Sequence, residues 1–232
     1  MHTFGQVFQW LTDPAHWSGS DGIPVRVLQH VEISAVALVA AALLAIPIGL
    51  LVGHKHRGAF VAVSIANVGR SVPSFAILSI AFLIFLGVAP SFAFGFGPTV
   101  TALFLLAVPP ILTNTYVGVQ AVDPDMVEAA RGMGMTEPDV LRRLEVPLAA
   151  PLIMAGLRTS AVTVVATATL AALIGGGGLG RYIVDGFHTA DTVKVVSGAV
   201  LVAVLAVATE LLFAAIEKAA TPRTVSASAA RH

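Results

Sequence analysis

EAARGMGMTEPDVLRRLEVP, Glu128 to Pro147, is the one long polar insert in a chain of strongly apolar segments. Just ahead of it, Asp123 has the side chain of a helix N-cap and Pro124 fits the first helical position. Asp125 suits the positive end of a helix dipole. A short helix is therefore predicted from about Asp125. Gly132 and Gly134 weaken that helix and permit a left-handed turn. Thr136-Glu137-Pro138-Asp139 has the spacing of a capping box, with Asp where Glu is usual, so Thr136 is expected to cap a second helix. Val140, Leu141, Leu144 and Leu148 repeat at helical spacing and give this second helix one apolar face. Pro147 removes a backbone donor and is expected to bend or end it. A helix, a glycine turn and an amphipathic helix, held between apolar segments, make a shape suited to a groove on another protein.

The surroundings of the insert define its setting. Of the 232 residues, 56% are hydrophobic and 11% charged, and the mean hydropathy is +0.88. Soluble domains carry about 25% charged residues. Apolar runs near or above the ~20 residues a spanning helix needs recur along the chain. The fold class is all-α, a polytopic helical membrane protein with about five transmembrane helices and one membrane domain. The net charge is zero, so nothing points to nucleic acid. Cysteine is absent, which excludes disulfides and thiolate metal sites. The start, MHTFGQVFQWLTDPAHW, lacks a basic region followed by an apolar core and does not read as a cleavable signal peptide.

Residues 1–26 read as an interfacial segment, because Phe4, Phe8, Trp10 and Trp17 suit the headgroup level. Residues 27–217 form the transmembrane domain, with the insert at about 123–147, and residues 218–232 form a flexible polar tail. Span one covers about Val27 to Val52, with Pro47 and Gly49 inside it. His54 to Gly58 follows as a short, solvated basic loop, with no carboxylate near it in sequence to make a metal site of His54 and His56. Span two lies within Ala59 to Val88. Arg70-Ser71-Val72-Pro73-Ser74 interrupts it, with Ala59 to Gly69 along the cytoplasmic interface and Arg70 at headgroup level. Pro90 to Pro98 is an outer loop. Span three, about Thr99 to Val119, is interrupted at Pro109-Pro110 and carries Asn114, Thr115 and Tyr116. Span four is about Ala149 to Ile174. Arg158 snorkels inward from it, and Thr163 and Thr167 lie among small residues that allow close packing or line a path. Candidate path residues are thus Asn114, Thr115, Thr163 and Thr167. The run Gly175 to Gly178 is not a phosphate loop, since no Lys-Ser or Lys-Thr follows. Span five is about Thr192 to Ile216, with Glu210 towards its inner end.

The insert resembles the EAA loop of ABC importer permeases. That pattern is Glu-Ala-Ala, three residues, Gly, nine residues, an aliphatic, one residue, an aliphatic and Pro. Glu128, Ala129, Ala130, Gly134, Leu144, Val146 and Pro147 fill those places here. PPILTNTYVGVQAVD before the loop, EVPLAAPLIMAGLRTSAV after it and LAALIGGGGLGRYIVDGF further on resemble osmoprotectant permeases, for glycine betaine, carnitine or choline. Arg181 departs from the acidic or polar residue usual at its place. Arg70-Ser71-Val72-Pro73 is closer to methionine-type permeases. The resemblance, from about His30 to Pro222, implies a type I ABC importer permease core without cofactor or catalytic residues. It also implies an ATP-binding subunit docked on the seven loop residues, an extracytoplasmic substrate-binding protein, and a second permease copy or a sister permease. A methionine or other small-solute permease on the same core is the alternative reading. An ATP-independent secondary transporter is a further one, against which stand the absence of an inverted repeat and of a buried carboxylate pair. No nucleophile, base and orienter grouping supports a membrane enzyme.

Five spans with the N-terminus outside put His54–Gly58, the insert and the tail inside. These carry Lys55, Arg57, Arg131, Arg142, Arg143, Lys218, Arg223 and Arg231, against Arg26 and Arg181 outside. This is the positive-inside bias of a multi-pass cell-membrane protein. A single Cys can be read without background in this chain. Cys at Ser18 is expected to react with an impermeant thiol reagent from outside and Cys at Thr136 not to; labelling of Thr136 from outside would overturn the topology.

Overall fold

A four-residue repeat decides how the first long helix packs. Ile33, Ala37, Ala41, Ala45, Gly49 and Gly53 recur every fourth residue, and all are buried. They form a stripe of mostly small side chains along one face of a helix, the pattern that lets membrane helices approach closely. In the computed structural model, which describes residues 2–55, 64 and 71–220, this helix is α2 (Ile23–Lys55). It is preceded by α1 (His2–Thr12) and followed by α3 (Ser74–Val88), α4 (Phe96–Gln120) and α5 (Pro124–Gly132). Then come α6 (Glu137–Ile174), α7 (Gly180–His188) and α8 (Thr192–Ala220).

Helices α2, α4, α6 and α8 are long and apolar enough to cross a membrane. The described part of the second expected span, α3, has 15 residues, about 22 Å at 1.5 Å per residue. The readings for residues 56–63, residues 65–70 and the tail beyond Ala220 lie outside the described residues.

The core is the contact of α4 with α2 on one side and α6 on the other. A Cβ on Gly49 would stand 2.7 Å from the Thr115 Cβ, and one on Gly53 2.7 Å from the Val119 Cβ. On the α6 side, a Cβ on Gly156 would stand 2.8 Å from the Asn114 Cβ. Ile33, Leu103, Ile111, Leu112 and Val164 fill the space between these close approaches.

One expected interruption is absent. Helix α4 runs unbroken through Pro109 and Pro110. Polar side chains serve carbonyls around the pair: Ser160 Oγ donates to the Ala107 carbonyl (2.9 Å) and Asn114 Nδ2 to the Pro110 carbonyl (2.8 Å). Helix α2 likewise continues through Pro47 and three residues past the expected end of span one. At ~1.5 Å per residue its 33 residues reach about 50 Å, well beyond a ~30 Å hydrocarbon core.

Both ends of α2 are tied to α6 or its continuation. At the first, Gln29 Oε1 accepts from the Gly178 N–H (3.0 Å), and buried His30 lies between the Val165 carbonyl (2.8 Å from Nε2) and the Leu179 N–H (3.3 Å from Nδ1). A ring that donates at Nε2 and accepts at Nδ1 is the neutral imidazole. Gly178 permits this approach with φ +88°. Helix α8 joins through Arg158, which pairs with Glu210 and, at 3.3 Å, with Glu217. Arg158 therefore does more than snorkel, because two carboxylates on α8 stand at its level.

The expected interfacial aromatics divide. Phe4 and Phe8 are exposed, whereas Trp10 stacks on His16 and meets Tyr182 edge-on. Gly49→Val is expected to force α2 and α4 apart and lower the melting temperature of the detergent-solubilised protein, at a cost of about 1–3 kcal/mol for overpacking. Gly87→Ala, which meets nothing within 4 Å, is expected not to lower it, as a thermal-unfolding assay would show.

Candidate functional site

Helix α5 begins as its sequence dictates. Asp123 Oδ1 accepts from the Asp125 N–H at 2.9 Å, Pro124 follows, and Arg131 sits in the last turn. Its end is set by backbone bonding. The Met135 N–H reaches the Ala130 carbonyl (3.1 Å) and the Gly134 N–H the Arg131 carbonyl (2.9 Å). These are the two bonds of a Schellman turn, with Gly134 at the left-handed position, φ +87°. Gly132, by contrast, is an ordinary helical residue. A Cβ on Gly134 would meet nothing within 4 Å, so the demand for glycine is conformational rather than steric.

The second expected helix is the beginning of α6. Thr136 Oγ1 donates to Asp139 Oδ2 at 2.6 Å, a side-chain pair in place of the expected bond to a backbone N–H. That bond, with Arg143 beside it, holds the Asp139 carboxyl below its ordinary range. The next six residues, Val140–Glu145, form a π-helical segment, after which Val146–Thr167 is α-helical. Pro147 therefore does not end the helix. The wider π turn, bonded i to i−5, accommodates the missing donor and the proline ring at the junction.

The π segment also decides which side chains are buried. Val140 and Glu145 are both inside, at 0% and 3% exposure. Glu145 Oε2 lies 2.7 Å from Nδ1 of His54, in the last turn of α2. Nε2 of the same ring lies 3.1 Å from Glu137 Oε2. Glu137 in turn accepts two hydrogen bonds from Arg131, from Nε at 2.9 Å and Nη2 at 3.0 Å. The Arg131 bonds, then its charge and that of His54, hold the Glu137 carboxyl below its ordinary range. His54 is thus no solvated loop residue; it closes a row Arg131–Glu137–His54–Glu145 that links α5, the start of α6 and the end of α2. Removing His54 alone would leave Glu145 buried without its cation, a change worth about 3–5 kcal/mol.

The motif residues fall on both sides of this row. Glu128, Ala129, Gly134 and Pro147 are exposed, Ala130 is buried, and Leu144 and Val146 are half-buried. The four path candidates do not come together in one wall. Thr115 is fully buried against Gly49, its hydroxyl unpartnered among the described residues. Asn114 faces Gly156 of α6. Thr163 is exposed, donating to the Thr159 carbonyl at 2.8 Å. Thr167 lines a void of about 10 Å³ with Ser74, Leu78 and Thr99. Sequence reasoning placed His54 in a basic loop and Glu137 in a capping box and did not pair them with each other or with Glu145. The available signal was Glu145 itself, a carboxylate on the apolar face of Leu141, Leu144 and Leu148.

The family described as binding-protein-dependent transport system inner membrane component matches residues 45–222. The chain belongs to this family. It is a multi-pass membrane permease, a transport subunit. Among its relatives, the choline transport system permease protein OpuBB of Bacillus subtilis is 40% identical over 197 residues, 85% of this chain and 88% of that one. The glycine betaine/carnitine/choline transport system permease protein OpuCB of Bacillus subtilis is 39% identical over 84% of this chain and 87% of its own. The carnitine transport permease protein OpuCB of Listeria monocytogenes is 40% identical over 87% and 89%. Among solved structures, an inward-facing MetNI methionine ABC transporter chain superposes with a TM-score of 0.77 at 20% identity, covering 91% of this permease and all of that chain. That likeness is one of fold, the type I permease core.

Gly134→Val is expected to strain the Schellman turn by about 1–2 kcal/mol, whereas Gly134→Asn, a residue that tolerates the left-handed region, is expected to be near neutral. Limited proteolysis of the insert in the intact permease reads the difference, with faster cleavage for the Val variant only.

Proposed function

We propose that this permease is the membrane subunit of an ATP-driven, binding-protein-dependent importer for a quaternary-ammonium compatible solute such as glycine betaine, carnitine or choline. The observation that carries the substrate class is the identity, near 40% over most of both chains, to permeases named for those solutes. The methionine alternative has a likeness at 20% identity behind it, which speaks to fold alone.

In this reading the insert is the coupling element. Exposed Glu128, Ala129, Pro147 and the Gly134 turn face an ATP-binding subunit, while Ala130, Leu144 and Val146 seat the element on the permease. ATP binding draws two such subunits together, and the inserts of two permease chains move with them. An extracytoplasmic binding protein supplies the solute. Of the path candidates, exposed Thr163 is the best placed to face a passage shared with a second permease chain. Asn114 and Thr167 border it, and Thr115 acts through packing. Since the aromatic groups that hold a quaternary ammonium would belong to the binding protein, altering that protein is expected to change selectivity more than altering Thr163.

Reconstitution in liposomes tests this reading. Uptake of glycine betaine, carnitine or choline is expected only with the ATPase and binding protein both present, and is expected to stop on ATP depletion with the ion gradient held. Accumulation driven by a proton or sodium gradient without an ATPase would contradict it.

A further inference from the structure

The insert is covalently continuous with α4 and α6, but α2 has no such connection to it. What joins α2 to the insert is a set of charged side chains. Both ring nitrogens of His54 stand within hydrogen-bond distance of carboxylate oxygens, 2.7 Å for Glu145 and 3.1 Å for Glu137. A carboxylate only accepts, and a neutral imidazole has a single N–H. The imidazolium, with an N–H on each nitrogen, is the form of the ring that serves both acceptors. Glu145, 4% exposed at its side chain, is thereby given a cation inside the protein. Glu137 is shared between His54 and the bidentate Arg131 of α5. The charges beside the ring are Lys55 on its own helix, Arg131 on α5, and Glu137 and Glu145 on α6; Lys55, Arg131 and Glu137 line an open pocket beside it.

We propose that His54 and Glu145 are positioning residues for transport: a charged clamp through which the ATPase-docked insert carries the cytoplasmic end of α2. The clamp rests on the reading of the insert as the coupling element. It acts in addition to the glycine contacts between α2 and α4, so its loss weakens coupling without abolishing it. Three properties suit it to transmission. It lies at the end of a helix that spans the membrane. It engages α6 where the π segment returns to α geometry. It reaches the docking helix directly through Arg131.

The test uses the full assembly of permease, ATPase and binding protein in liposomes, and reads solute imported per ATP hydrolysed, with whichever of glycine betaine, carnitine or choline the wild type imports. The double variant His54→Phe with Glu145→Met removes both charges together, so no buried ion is left unpaired. It is expected to retain the ATPase and to hydrolyse ATP, while import per ATP falls roughly tenfold, within the range of inter-site coupling. Glu145→Gln, closer in shape, is expected to fall in the same direction. His54→Arg restores two-sided donation, the open pocket giving room for the longer side chain, and is expected to stay close to the wild type. Wild-type import per ATP in both the double variant and Glu145→Gln would overturn the clamp. So would a His54→Arg variant as uncoupled as the double one, since charge would then not be the cause. Failure of the wild type to import with ATP would instead overturn the transport reading itself, and the clamp with it.

Discussion

A carboxylate buried at the end of a membrane helix has to be matched by a cation, and the half of this permease that carries the insert is arranged around that requirement. Glu145 is 3% exposed. An unpaired charge in such a place costs several kcal/mol, so the chain must deliver a donor to it. The donor is His54, 91 residues away, and it arrives because α2 continues without a break to Lys55. The length of α2, the depth of Glu145 and the π segment that places it there are three parts of one constraint.

The two ends of α2 are fastened by different chemistry. At the insert's end the ties are ionic, among His54, Glu137, Glu145 and Arg131. On the opposite side they are neutral, with Gln29 and His30 bonded to backbone groups of Gly178, Leu179 and Val165. Between them the four-residue stripe of alanines and glycines packs α2 against α4 so closely that added carbon atoms would collide. A helix fastened at both ends suits a protein whose solute-delivering and ATP-consuming partners are proposed to act on opposite faces of the membrane.

Much of this was legible in the residues. Asp123, Pro124 and Gly134 encode the start and end of α5 through local bonding, and the Schellman turn follows from them. Apolar run lengths located the long spans. The expectations of a break at Pro109-Pro110 and of a helix end at Pro147 failed because they were weighed from local sequence. Pro109 and Pro110 lie where Ser160 and Asn114 donate to neighbouring carbonyls, and Pro147 follows a π turn; neither relief is visible in a local window. The His54 pairing was missed for a related reason: its carboxylates are distant in sequence. The expected path residues were chosen by polarity, whereas burial sets Thr115 apart from Thr163.

The central claim is that the insert and the cytoplasmic end of α2 move as one body. Lys55 and Met133 are both exposed, and a chain without cysteine accepts spin labels at those two sites alone. The most direct measurement is the distance distribution between them in the complete assembly, nucleotide-free and with ATP trapped. The clamp predicts the same distribution in both states; a shift in the separation on ATP binding would show that α2 does not follow the insert and would contradict the account.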